Sequence, residues 1–238
     1  MRLINICFLS LMSLCLMSSC VNELDNYDAP DGGVYGTILD AETNQPVPLP
    51  VQGSTGVIIK LMEQGTGATK TVDFYAKQDG TFNNSRIFNC DYLITVEGPF
   101  VTSEEVRATV EGQTEVNIPV IPYARIEASA SVSGKKVSIN YQVSKTRSSY
   151  TTDEVYGYWN FAPGVDDGGA NQAGKVTVNE LSGTITFDLV ADQTFLDNEY
   201  KVKANGNKIY VRIGAKTEGV INYSQIMDCL LYTSDDAD

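Results

Sequence analysis

The sequence predicts an all-β protein built as two tandem β-sandwiches, and three observations carry that prediction. Apolar and polar residues alternate with period two along most segments from Val34 to Ile226, the pattern of short strands with one wet face. Turn formers interrupt the alternation about every eight to twelve residues, the spacing of a sandwich. A Pro-bounded strand end at Pro119 and Pro122 is followed by a fresh alternating run from Tyr123, which sets one sandwich at 33–122 and a second at 123–228. No stretch reads with the period of a helix.

Ahead of the sandwiches, Arg2 precedes an apolar run from Leu3 to Met17 that is too short to span a bilayer comfortably, and the small residues Ser18 and Ser19 lead to Cys20. Residues 1–19 therefore read as a cleaved signal peptide. Leu16-Met17-Ser18-Ser19-Cys20 resembles the lipobox of bacterial lipoproteins, with Met17 where an aliphatic residue is usual, so Cys20 is the expected lipidation site. The competing reading is an ordinary secretory signal with Cys20 incidental. At about 0.8 kcal/mol per buried methylene, two or three acyl chains would hold the protein on a membrane. Residues 20–32 are polar, acidic and rich in turn formers, a lipidated linker rather than part of a core. Glu23, Asp25 and Asp28 loosely resemble the acidic export signal of surface lipoproteins, so the expected location is the outer membrane, lipid-anchored and facing the cell surface.

In the first sandwich, Val57, Ile59 and Leu61 share one strand face, as do Val72, Phe74 and Ala76. After the Asp79-Gly80 turn, the same alternation recurs at Tyr92, Ile94 and Val96, at Val106, Ala108 and Val110, and at Val116, Ile118 and Val120. Seven strands are expected in this span. The stretch Gly36-Thr37-Ile38-Leu39-Asp40-Ala41-Glu42-Thr43-Asn44-Gln45-Pro46-Val47, with Asp79-Gly80-Thr81-Phe82 and Tyr92, resembles the carboxypeptidase-regulatory-like (prealbumin-like) sandwich. In that hairpin Asp40 and Thr43 are placed to bond nearby amides, and Asn44 sits where a left-handed conformation is wanted.

The second sandwich opens with a hairpin in which Ile126, Ala128, Ala130 and Val132 lead to the Ser133-Gly134 turn and Val137, Ile139, Tyr141 and Val143 return. Val176 and Val178, then Ile185, Phe187 and Leu189, then Ile209, Val211 and Ile213 continue the pattern. Ile209-Tyr210-Val211-Arg212-Ile213-Gly214-Ala215 resembles the penultimate strand of fibronectin-type-III-like domains, so an Ig/fibronectin-III-like sandwich is expected. From Met227 the alternation is lost, and residues 229–238 are set apart as a tail that resembles translated adapter sequence rather than native chain.

Asp25-Asn26-Tyr27-Asp28-Ala29-Pro30, the Gly36 hairpin, Gly98-Pro99-Phe100 and Ile121-Pro122-Tyr123-Ala124-Arg125-Ile126 follow one another in the order seen in a family of two-domain Bacteroidota outer-membrane lipoproteins of unassigned function. The resemblance covers almost the whole chain after Cys20. Members are usually encoded beside a TonB-dependent transporter and its starch-utilisation-type glycan-binding lipoprotein. The resemblance therefore implies a part in polysaccharide capture, with that transporter, that lipoprotein and a glycan as partners.

Composition excludes several classes of function. The chain carries 30 Asp+Glu against 17 Lys+Arg, a formal charge of −13, so it repels phosphate backbones and nucleic acid is not a partner. It contains no histidine, which removes any histidine-dependent triad and the commonest transition-metal ligand. Cys90 and Cys229 fall in different sandwiches and are expected as free or buried thiols, an interdomain disulfide being the alternative. No nucleophile motif, phosphate loop or metal cluster appears, so neither cofactor nor catalysis is expected.

The aromatic concentration at Tyr150, Tyr156, Tyr158, Trp159 and Phe161 is followed by a turn-rich loop holding Asp166, Asp167 and Asn171. Aromatic faces beside amide and carboxylate acceptors suit a sugar-binding surface, which makes Tyr156, Tyr158, Trp159, Asp166, Asp167 and Asn171 the candidate glycan contacts. The alternative is that Trp159 belongs to a buried strand face with Tyr156 and Tyr158 outward. Asp166, Asp167 and Asn171 lack the spacing of a calcium loop and read as a solvated turn. Two functional expectations follow. One is a non-catalytic lipoprotein that binds or presents glycan to an outer-membrane transporter complex. The other is a structural spacer or assembly protein that binds no sugar.

Overall fold

Strand β1 (Gly32–Asp40) organises the first sandwich, because three other strands form on its two edges. On one edge it pairs antiparallel with β4 (Thr81–Ile87). On the other it pairs parallel with β8 (Gln113–Glu115) and then with β9 (Ile118–Pro122), which is joined to β6 (Phe100–Ser103). Gly36 makes this crossing possible: a Cβ there would lie 1.7 Å from the Val116 carbonyl oxygen, an approach that only a residue without a side chain tolerates. The facing sheet is antiparallel, in the order β3 (Val72–Tyr75), β2 (Ile58–Glu63), β5 (Asp91–Glu97), β7 (Val106–Thr109). The computed structural model describes residues 29–53 and 55–231, so the leader, Cys20 and the linker as far as Asp28 lie outside the described residues, as do residues 232–238.

Between these sheets Val34, Ile38, Ile59, Leu61, Tyr92, Ile94 and Ile118 are almost wholly buried. The hairpin after β1 behaves as its residues suggest. Asp40 Oδ1 accepts the Glu42 amide at 3.0 Å, and Asn44 has a φ of 57°. Nine strands form here where seven were expected. Val72 is 38% exposed because β3 is an edge strand, so its inward side has less to pack against.

The chain changes sheets at Tyr123. β10 (Ala124–Ser133), β11 (Lys136–Lys145) and β14 (Ser182–Asp188) make one antiparallel layer of the second sandwich. The other layer runs β13 (Gly174–Val178), β12 (Thr152–Asn160), β15 (Lys208–Thr217), β16 (Val220–Tyr223), with β17 (Met227–Leu230) also on β15. The protein is thus almost all β, two tandem sandwiches with separate apolar cores. From Asp31 onward the described residues form one compact unit.

Two features differ from the sequence expectation. Met227–Leu230 is a strand, although the alternation fades there. Cys229 and Leu231 fill the open end of the second core, at 2% and 4% exposure. Burial pushes the Cys229 thiol up to about 11, which leaves it protonated and unreactive at neutral pH.

The second difference is a helix, α1 (Gln193–Ala204), in a chain read as having none. Only Phe195 and Val202 of it are buried, two apolar positions seven apart, too few to show a helical period. Asp192 caps it, accepting the Phe195 amide at 3.1 Å through Oδ1 while Oδ2 accepts the indole N–H of Trp159 at 3.2 Å. One carboxylate thereby fixes the helix start and satisfies the polar atom of a fully buried ring, which also packs edge-on against Phe161 and Phe195.

Asp192→Ala should cost about 1 kcal/mol for the lost cap and a further ~1–3 kcal/mol for the orphaned indole N–H. Asp192→Asn should keep the cap and lose mainly the second part. Urea midpoints followed through Trp159, the one tryptophan in the chain, would separate the two contributions. Equal loss in both variants would show that the indole bond carries the whole effect.

Candidate functional site

Of the six residues expected at a glycan surface, Tyr156, Tyr158, Asp166, Asp167 and Asn171 come together, but the surface they build faces inward, and Trp159 lies on the opposite strand face in the second core. Tyr156 and Tyr158 point away from the second core as a strand face should, yet they are 5% and 0% exposed, and Trp159 and Asp166 are at 0%. Tyr156, Tyr158, Val165 and Tyr223 form an apolar cluster of their own, with the Tyr158 ring 5.8 Å from Tyr156 and 6.3 Å from Tyr223. The loop 161–173 folds over the rings, and the first sandwich is bonded to that loop. Burial, with the Glu154 hydrogen bond, raises the Tyr156 phenol above its ordinary value. Burial and the neighbouring Tyr223 and Asp167 do the same for Tyr158, so both are neutral.

Asp166 is a connector rather than a sugar ligand. Its Oδ2 accepts the Val51 amide of the first sandwich at 2.8 Å, and its Oδ1 accepts the Gly168 amide and the Asn171 side chain at 2.8 Å each. Asn171 is half-buried in that role. Of the six, Asp167 reaches solvent, its side chain 37% exposed, and there it is held by Lys175 at 2.5 Å and by the Tyr158 hydroxyl at 3.0 Å. Tyr156, Tyr158, Trp159 and Asp166 are therefore corrected from ligand contacts to internal packing, because the neutral rings and the bonded carboxylate have no face open to water.

The residue that locks this seam is Arg212 on β15, wholly buried. Its Nε donates to the Ser224 carbonyl at 2.8 Å, one terminal nitrogen to Val165 O at 3.0 Å and Gln78 Oε1 at 3.3 Å, and the other to Leu49 O at 2.8 Å. Its guanidinium carbon lies 4.6 Å from the Tyr223 ring centre. Burial pushes its pKa down to about 10, still charged at neutral pH. Leu49 and Gln78 belong to the first sandwich, so one fork spans both. Gly214, two residues on, lets the rings close in: a Cβ there would meet Tyr158 at 3.0 Å and Tyr223 at 3.2 Å.

Asn222 adds a second tie, accepting the Tyr123 and Ala124 amides at 3.0 Å and donating to Pro99 O at 2.9 Å. Arg125 adds a third, bonding Asp40 through two nitrogens at 2.5 and 2.9 Å and Glu42 at 2.7 Å. Arg212, Asn222 and Arg125 were not singled out in the sequence. The signal for Arg212 was a charged residue between Val211 and Ile213 that reads equally well as an outward polar position.

Among the described residues three grooves open along the seam, two of them backed by Tyr223. The first, about 340 Å³, has Asn222 and Tyr223 as its floor and Thr43, Gln45, Pro46, Arg125, Glu127 and Gln225 around it. Among the described residues the side chains of Gln45, Glu127 and Gln225 make no hydrogen bond and are exposed. Asp40 is not a free acid in it. Burial raises its pKa, but the Arg125 hydrogen bond, the Glu42 amide and the Arg125 charge outweigh that, and the net shift is downward. The second groove, about 330 Å³, is lined by Thr55, Pro99, Asp167 and Ile221. No group of His, Cys, Asp and Glu among the described residues is arranged to hold a metal ion.

Residues 33–121 match the family model described as the N-terminal domain of a protein of unknown function (DUF3823), and residues 123–228 match its C-terminal partner domain, DUF3823_C. Among solved structures, a DUF3823 family protein from Parabacteroides merdae superposes with a TM-score of 0.70 at 23% identity, covering 84% of this chain and 99% of that one. One from Bacteroides ovatus gives 0.68 at 19%, covering 85% and 100%. A Bacteroides uniformis protein provisionally described as a carbohydrate binding protein gives 0.62 at 20%, covering 85% and 100%. At these identities the likeness is one of fold. A search of the curated proteins finds no match.

Two outcomes test the seam. Arg212→Met leaves the Leu49, Val165 and Ser224 carbonyls without their donor and should lower stability by about 3 kcal/mol or more. Arg212→Lys, a single ammonium in place of a fork, should recover only part of it. Asp40 titrates below its ordinary 3.8 in the folded state, so its stabilising contribution is present above that value and is lost as pH falls through the lower folded value. The stability gap between the wild type and Asp40→Asn should therefore be open at neutral pH and narrow as pH falls below 3.8. An unchanged gap would remove Asp40 from the seam's energetics.

Proposed function

Because the chain belongs to the DUF3823 family, we propose that it is a non-catalytic lipoprotein of a polysaccharide-utilisation system. It is anchored through Cys20 to the outer membrane at the cell surface, and it holds glycan for a transporter complex and that complex's own glycan-binding lipoprotein. The observation that carries this reading is the 340 Å³ groove at the seam, where Gln45, Glu127 and Gln225 offer uncommitted hydrogen-bonding groups beside the apolar Pro46 and Ile126. Hydroxyl partners set among apolar surface suit a pyranose, which carries both characters. A relative of the same fold is provisionally described as carbohydrate binding, which supports the choice of ligand.

Binding rather than catalysis is favoured by how the groove's carboxylates are disposed. Asp40 is committed to Arg125, which leaves Glu127 without a second free carboxyl group in the groove, whereas glycoside hydrolysis ordinarily needs a flanking pair. The bonded seam favours a second reading, a stiff spacer that carries neighbouring envelope proteins and binds no sugar.

Affinity electrophoresis of the chain without its leader through gels holding neutral polysaccharides separates the two. Retardation by at least one polysaccharide, abolished by Gln45→Ala with Gln225→Ala, is the expected result. No retardation by any member of the panel, together with co-purification of the chain with a transporter, would overturn glycan holding in favour of the spacer.

A further inference from the structure

We propose that the outer face of the first sandwich carries a second contact for a neutral glycan, a platform centred on Tyr35. β1 turns Val34 inward and Tyr35 outward, and the Tyr35 ring is 40% exposed. Its direct partner on β4 is Asn83 and its direct partner on β8 is Glu115. Both are exposed, and partners in register stand on the same face. Two residues back along β1 is Gly33, over which the Gln113 side chain lies: a Cβ on Gly33 would meet Gln113 Oε1 at 2.4 Å. The ring is thus bordered by two amides and a carboxylate.

Among the described residues the side chains of Tyr35, Asn83, Gln113 and Glu115 make no hydrogen bond and no ion pair. This separates the Tyr35 face from the Tyr156–Tyr158 cluster, whose hydroxyls are spent on Glu154 and Asp167. Asn83 and Glu115 sit two strand spacings apart, roughly 10 Å, so one extended ligand crossing the strands meets both with the ring between them.

The occupant follows from the chemistry. Glu115 and the chain's −13 charge disfavour uronates, phosphates and nucleic acid. One ring surrounded by polar groups is too little apolar area for a protein interface. A neutral sugar chain offers the ring a C–H face and the amides its hydroxyls. The platform takes its ligand class from the reading above but stands on separate residues from the groove, and two contacts on one chain would raise avidity.

Fluorine NMR of the chain labelled throughout with fluorotyrosine tests both sites at once, with the Tyr35 and Tyr223 signals assigned from Tyr35→Phe and Tyr223→Phe. The probes are maltohexaose, cellohexaose, xylohexaose and mannohexaose, with an oligogalacturonate as the anionic control. The expected result is a saturable shift of Tyr35 with at least one neutral oligosaccharide and none with the control. Asn83→Ala should weaken that binding about fivefold, the loss of one hydrogen bond. Movement of Tyr223 alone would overturn the platform and leave the groove. Movement of Tyr35 alone would keep the platform and remove the groove. No movement of either across the panel would overturn both. A Tyr35 signal that moves with protein concentration alone would assign the face to a second copy of the chain, and overturn the proposal.

Discussion

A charged guanidinium that is wholly buried has to find acceptors or it does not stay buried. Arg212 finds them in three backbone carbonyls and an amide drawn from four parts of the chain, two of which belong to the opposite sandwich. The arrangement of the rest follows from that demand. Leu49 and Gln78 must reach across, loop 161–173 must lie where Val165 O can accept, and Tyr223 must present its face. Asp166, fixed by the Val51 amide, supplies opposite charge from the same loop. With both ions hydrogen-bonded throughout, the desolvation cost of burying them is offset locally, and the joint has one geometry instead of the looseness expected of a simple linker.

This explains why the aromatic stretch misled as a ligand surface. Alternation in a strand reports which residues face the strand's own core; it is silent about whether the other face meets water or a second domain. The first sandwich's Ile59, Leu61, Ile94 and Ile118 were legible as core for that reason, and for Trp159 it is the alternative, a buried strand face, that the structure shows. Tyr156, Tyr158 and Arg212 sit on the opposite side of β12 and β15, where the burial comes from elements far away in sequence. No local pattern encodes that. Helix α1 escaped for a related reason: it contributes two side chains to the core, and the cap at Asp192 is the one strong local mark of its start. The hairpin after β1 was read well because its turn chemistry is local: the Asp40 carboxylate accepts the Glu42 amide, and Asn44 takes the left-handed conformation within the turn itself.

The functional consequence is a change of address for any ligand. With the rings of β12 turned inward, contact with an outside molecule falls to the grooves that the seam itself creates and to the outer sheet faces. Groove and seam share residues: Asn222 and Tyr223 floor the first groove while tying the sandwiches together, and Arg125 lines it while holding Asp40. The groove's shape therefore depends on the joint staying closed. Polar, uncommitted side chains thus lie along the same seam that ties the two sandwiches together.

Welded by a buried fork, the two sandwiches should behave as one cooperative body, and differential scanning calorimetry measures that directly. Unfolding of the chain should appear as a single transition whose calorimetric and van't Hoff enthalpies agree. Two separable transitions, or a calorimetric enthalpy well in excess of the van't Hoff value, would mean that each sandwich melts alone and that the buried arginine does not weld them.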